Sequence, residues 1–143
     1  MKTKISISLF LAFALFCGCN SDKKQTEAAS ANVGLTGTKW KLVKLNGKII
    51  TDDKAYISFS EENGRVSGNG GCNAFNGEFT VKEYNRITMS KVAATLMACP
   101  DMENESEFLR LLETVDNYTI HNDTLSLNKA RMAPLAVFAA DTE

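Results

Sequence analysis

The sequence predicts an α+β domain, mainly antiparallel β: a small curled sheet or barrel of about seven to eight strands, with one helix packed on an open end or face. Three observations carry this reading. Short stretches alternate apolar and polar residues with a period of two. Turn dipeptides such as Asn46-Gly47 and Asn63-Gly64 separate them, which implies antiparallel pairing. A single stretch, around residues 104–115, carries the apolar stripe of a helix.

The first element is not part of that domain. Lys2 and Lys4 form a positive start, and residues 5–16 are mostly apolar. A run this short falls below the roughly 20 residues a spanning helix needs, and it reads as the core of a signal peptide over residues 1–18. Small Gly18 precedes Cys19, whereas bulky Phe16 precedes Cys17. The stretch resembles a bacterial lipobox, with Phe16 where leucine is usual, and Cys19 is the expected lipid-bearing residue. Two acyl chains there would give stable attachment to a leaflet. Residues 19–35 form a polar, flexible linker, and the folded domain is expected over 36–140. The whole chain has 16 Lys and Arg against 17 Asp and Glu. Loss of Lys2 and Lys4 with the leader takes the net charge from −1 to −3. With no basic stripe, nucleic acid is not an expected partner.

Within the domain, Trp40 and Leu42 alternate with lysines, and Asn46-Gly47 favours the positive φ angles of a type I′ turn. Ile57 and Phe59 share one face of a second strand, which turns at Asn63-Gly64 and returns over residues 65–69. Phe79 with Val81, and Ile87 with Met89, mark two more strands around a turn at Tyr84-Asn85. Residues 91–99 are apolar without clear period and fit either a strand or irregular chain. Phe108, Leu111, Leu112 and Val115 define the helix. Asn104 with Glu107 fits a capping box, Glu103 and Glu105 suit the positive end of the helix dipole, and Asp116-Asn117 ends it. Residues 118–128 form a hairpin turning at Asn122-Asp123. Residues 134–139 form a last strand, with Pro134 at its start or on an edge.

The motif "SGNGGCNAFNGEF", residues 67–79, invites a phosphate-loop reading. Such a loop opens a helix whose amides face the anion. Here the chain runs from strand to strand, with no Lys-Ser/Thr pair, so the stretch reads as a bulged corner. Gly68, Gly70, Gly71 and Gly77 would supply backbone freedom, and Asn69, Asn73 and Asn76 would bond the backbone locally. Phe75 sits in this loop, where it either plugs the core or faces a groove. It is the candidate contact for a ligand or partner. Cys72 and Cys99 are the two cysteines left once Cys17 departs and Cys19 is lipidated. In an oxidising compartment they are expected to form one disulfide. With His121 they lack the close paired spacing of a zinc site, and no metal is expected. No nucleophile signature surrounds Ser67, Ser90, Thr95 or His121, and no catalytic residue is assigned.

The segments "GTKWKLVKLNG", "SGNGGCNAFNGEF", "AATLMACPDMENESEFLRLLETVDNYTI" and "DTLSLN" with "LAVF" occur in that order. They resemble the META domain, or HslJ-like lipoprotein, family over about residues 36–139. Trp40, the Gly71-Cys72-Asn73 core with Phe75 and Gly77, and Thr95 with Ala98-Cys99 carry the likeness. The resemblance implies a small β-barrel with a helix, an envelope lipoprotein, and a loose link to stress or antibiotic tolerance. It brings no catalytic set and no cofactor. The expected function is a non-enzymatic, lipid-anchored envelope protein, held at the outer membrane and facing the periplasm or the surface, that acts as a binding or stress-protective module for a protein partner or an apolar ligand. The alternative is a purely structural envelope-maintenance protein without a small ligand.

Overall fold

A computed structural model describes residues 33–100 and 102–141. The expected signal peptide, the lipidation site Cys19 and the linker up to residue 32 lie outside the described residues. The strands are β1 (Lys39–Leu45), β2 (Lys48–Ile49), β3 (Tyr56–Ser60), β4 (Arg65–Asn69), β5 (Ala74–Lys82), β6 (Arg86–Met89) and β7 (Ala93–Ala94). The helix α1 (Glu103–Leu112) follows, then β8 (Asn117–His121), β9 (Thr124–Asn128) and β10 (Ala136–Ala140).

Turn chemistry sets the local pairing. Asn46 and Gly47 have φ of 44° and 82°, as a type I′ turn requires. Tyr84 and Asn85 take 58° and 56°, and Asn122 takes 53°. Asn63-Gly64 closes a wider loop, in which Asn63 Oδ1 accepts the Arg65 amide at 3.2 Å. Each strand pairs antiparallel with its neighbours in the order β10-β9-β8-β6-β5-β4-β3-β1-β2. β10 also pairs with β1, which brings the two ends of the order together. The sheet is therefore a ring of strands. β2 and β7 are two-residue additions on β1 and β5, which is why ten strands are present where about seven to eight are expected.

The ring is thin at one joint. β6 and β8 share the single residue pair Arg86↔Asn117. Two flanking hydrogen bonds assist it, Ile87 N–H to Asp116 O at 3.1 Å and Tyr118 N–H to Asn85 O at 3.0 Å. This joint makes the architecture a curled sheet closed on itself and not a regular barrel. Asp116 braces the joint from outside. Its Oδ1 accepts the Ala130 amide at 2.9 Å and the Asn117 side chain at 2.7 Å. Oδ2 lies 3.7 Å from Arg86 and 3.8 Å from Lys129. The Ala130 and Asn117 bonds, helped by the two cations against some desolvation, hold the Asp116 carboxyl below its ordinary range. Asp116→Asn is expected to leave the fold intact and to speed hydrogen exchange at the Ile87 and Tyr118 amides several-fold. Unchanged exchange at both would show that the joint does not depend on this carboxylate.

The interior is filled by side chains from every ring strand and the helix. Trp40, Phe108 and Phe138 are fully buried, with Ile57, Val66, Ile87, Leu125 and Leu127 around them. A register shift between Leu42 and Lys44 turns Leu45 inward as well. Phe108 plugs the ring from the helix, with ring centroids 5.7 Å from Phe75 of β5 and 5.9 Å from Phe138 of β10. At the far end, Leu35 is buried and its carbonyl accepts the Trp40 indole N–H at 3.0 Å. Packed structure thus begins ahead of residue 36.

Several sequence expectations are corrected. No side chain caps α1: the residue before it, Met102, occupies the cap position, and the Asn104–Glu107 box does not form. Glu107 instead accepts from the Asn46 side chain. The helix ends at Leu112, before Asp116-Asn117, while Val115 still reaches the core from the following turn. Residues 91–99 contribute only the short β7. Pro134 stands two residues ahead of β10, which is paired on both sides.

Candidate functional site

The Gly-rich corner does cradle an anion, and the anion belongs to the chain. Glu105 lies in the first turn of α1, one turn before Phe108 on the same helix face. It is 4 % exposed. Its Oε2 accepts the main-chain N–H of Cys72 at 2.8 Å and of Asn73 at 2.6 Å. Its Oε1 accepts the Asn73 side-chain amide at 2.7 Å. A Cβ on Gly70 would stand 2.6 Å from Glu105 Cγ, so the corner must be glycine for the helix to come this close. The Gly70 and Gly71 amides are taken by Asn73 O and by Asn69 Oδ1, both at 2.8 Å. An exogenous phosphate would find these donors already engaged.

Burial pushes the Glu105 carboxyl up, but the hydrogen bonds from Asn73 and Cys72 outweigh it and hold its pKa below the ordinary value of about 4.5. Glu105 is therefore a fixed carboxylate at neutral pH. All of its near partners donate, so it is a structural anion and not a proton-transfer group.

Asn73 extends this network. Its Oδ1 accepts Thr95 Oγ1 and the Met97 amide, each at 2.7 Å, and its Nδ2 donates to Met97 O at 3.2 Å. The Cys72–Cys99 disulfide ties the same two segments, with Cα atoms 6.2 Å apart. The corner, the 95–99 segment and the helix start therefore form one clamp. Most motif residues meet there: Gly71, Cys72, Asn73, Thr95 and Cys99. Trp40 and Gly77 lie elsewhere, in the core and against Val92 and Ser90. Ala98 is exposed.

Phe75 departs from its expected place. It belongs to β5 and not to a loop, it is 3 % exposed, and its ring packs edge-on to Phe108. It plugs the core, and its ring offers a ligand almost no surface. Glu105 was assigned above to the helix dipole alone. The signal for its role is its register, since it carries the buried stripe of Phe108, Leu111 and Leu112 one turn further toward the N-terminus.

A cleft of about 490 Å³ opens beside the clamp. Ile50, Asp52, Lys54, Pro100 and the two cysteines form much of its wall, a mixed lining without a free buried acid or base. Among the described residues, every buried side-chain nitrogen or oxygen has a partner, and no three His, Cys, Asp or Glu residues gather as a metal site. His121 ends β8 on the surface, away from these groups. The more conspicuous surface feature is apolar. Leu96 is 99 % exposed and Met97 56 %, on the segment that the clamp holds still.

The META domain profile matches residues 33–142. The chain belongs to the META domain family. Solved structures share the fold. An NMR structure of a protein is 24 % identical with a TM-score of 0.59, covering 75 % of this chain and 94 % of that one. An NMR structure of a protein from Burkholderia xenovorans is 22 % identical with a TM-score of 0.59, covering 76 % and 85 %. A DUF4847 family protein from Bacteroides vulgatus is 15 % identical with a TM-score of 0.54, covering 76 % and 96 %. No curated protein matches. In this META domain, the paired cysteine motifs and the acidic helix start are thus parts of one structural clamp.

Proposed function

We propose that the chain is a non-enzymatic, lipid-anchored envelope protein whose META domain binds a protein partner through the clamped segment around Leu96 and Met97. The carrying observation is the exposure of these two large apolar side chains on backbone fixed by Asn73 and by the disulfide. Ordering such a segment before it meets a partner lowers the entropic cost of binding. The filled ring interior speaks against an apolar ligand inside it, which favours the partner over the ligand among the two binding readings. Attachment through Cys19 is supported by the leader and the Gly18-Cys19 junction.

Two measurements test this. The mature chain taken from the envelope is expected to begin at Cys19 and to carry the mass of acyl groups, and a chain lacking that added mass would remove the anchor. A photoreactive residue at position 96 is expected to cross-link to protein in the intact envelope, whereas one at Tyr84, equally open at 92 % exposure, is not. The purely structural alternative predicts the same weak labelling at both positions.

A further inference from the structure

The segment that displays Leu96 continues the two-residue strand β7, its inner edge bonded and its outer edge without a main-chain partner among the described residues. Asn76 and Phe75 of β5 pair with Ala93 and Ala94. The Thr95 amide donates to Ala74 O at 3.0 Å. Beyond the end of β5, the Asn73 carboxamide takes over the pairing, since it bonds both the N–H and the C=O of Met97. Residues 93, 95 and 97 therefore turn their main-chain groups toward β5. By the alternation of antiparallel ladders, Ala94 and Leu96 turn theirs outward. Natural edges are guarded by charges, proline or a covering element. This one has no charged residue between Lys91 and Asp101, and Leu96 stands open at its tip.

We propose that a second copy of this chain pairs antiparallel with the outer edge of residues 93–97. This deepens the partner reading above and rests on it. The sequence Ala93-Ala94-Thr95-Leu96-Met97 sets two small residues before, and two large ones after, a central threonine. A twofold axis through Thr95 places Leu96 beside Ala94 of the second copy, and Met97 beside Ala93. Large side chains meet small ones on both faces, and each Ala94–Leu96 pair exchanges both of its N–H···O bonds. No like charges face each other, and the interface is isologous, as a closed dimer requires.

The position of the chain's start favours a protein over a lipid surface here. Residues 36 and 37 bond Phe59, at the end of β3 where β4 begins. The clamp lies at the opposite end of β4, about 13 Å away for a strand of that length. The linker therefore leaves from the end of the ring opposite Leu96. So short a strand pair buries less than the roughly 1,200 Å² of a standard interface, and the association is weak in dilute solution. Confinement of both copies to one membrane raises their effective concentration.

The photoreactive residue at position 96 of the full exported chain also decides this. The expected product in the envelope has twice the mass of the mature chain and joins two 93–97 segments. An adduct with a different protein, or with lipid, overturns the self-pairing; the former leaves the partner reading standing, and the latter overturns both. Labelling no stronger than at Tyr84 also overturns both. With the photoreactive residue moved to Met97, Leu96→Pro removes an outward N–H and is expected to lower the dimer product by roughly tenfold. Intact Trp40 fluorescence and an intact disulfide confirm that this variant is folded. Leu96→Glu, which keeps the main chain unchanged, is expected to act in the same direction through the lost Leu–Ala contact. Undiminished dimer in both variants would refute the pairing.

Discussion

Glu105→Ala is expected to lower the stability of the domain by about 3–5 kcal/mol in denaturant unfolding. The substitution removes the acceptor of the Cys72 and Asn73 main-chain amides, and one of the two acceptors of the Asn73 side-chain amide. A buried donor left unsatisfied costs about 1–3 kcal/mol, more when the lost partner was charged, and water entering from the adjacent cleft returns part of that. Against a typical total of about 5–15 kcal/mol, such a loss is large. Glu105→Gln keeps the shape and one acceptor oxygen, but its amide nitrogen then faces another donor on Asn73. A loss of about 2 kcal/mol is expected for it. A loss below about 1 kcal/mol in the alanine variant would show that the corner stands without its carboxylate.

The same contact fixes the pH dependence. Folding lowers the proton affinity of Glu105, so the unfolded chain binds its proton more readily than the folded one. The contribution is fully present above the ordinary value of about 4.5 and is lost as the pH falls through the lower folded value. Asp116 and Asp141 act in the same direction, the latter through the hydrogen bond and charge of Lys39, 2.8 Å away. Glu105→Gln should therefore make the acid limb of the stability curve shallower without abolishing it. An unchanged limb would mean that the other carboxylates account for all of it.

These residues also show what the sequence could and could not disclose. Asn46-Gly47, Tyr84-Asn85 and Asn122-Asp123 were readable as turns because Asn and Gly suit the positive φ angles that Asn46, Gly47, Asn85 and Asn122 adopt. Phe108, Leu111 and Leu112 were readable because helical periodicity is local. Ring closure was less legible, since the pairing of β1 with β10 joins residues at opposite ends of the domain and leaves no local pattern. Phe75 was misplaced for a related reason. Glycine and asparagine around it spell a loop, but β4 and β7 hold Phe75 and Asn76 of β5 in a ladder, so tertiary pairing overrides propensity. Glu105 was read as a dipole partner alone, and its role as a buried acceptor depends on the close approach that Gly70 allows, which no local pattern shows. The disulfide was legible because the expected loss of Cys17 and lipidation of Cys19 leave Cys72 a single partner.

Replacement of both Cys72 and Cys99 by alanine is expected to cost about 3.5 kcal/mol, the chain-entropy value for a loop closed across 27 residues. The cost arises in the unfolded state, which the bridge no longer restricts, so the folded structure should change little. The hydrogen bonds explain why. Glu105 still holds the main chain at residues 72 and 73, and Asn73 still holds Thr95 and Met97. The denaturant slope should rise, because an unbridged chain exposes more surface on unfolding. A double-mutant cycle with Glu105→Gln separates this account from its rival. If the bridge acts only on the unfolded chain, the two losses add within about 0.5 kcal/mol, although the groups are neighbours. If the bridge also holds the corner against the helix, Glu105→Gln costs less in the cysteine-free background, where the corner is already loose. A coupling above about 1 kcal/mol would therefore place the disulfide's work in the folded clamp and refute the unfolded-state account.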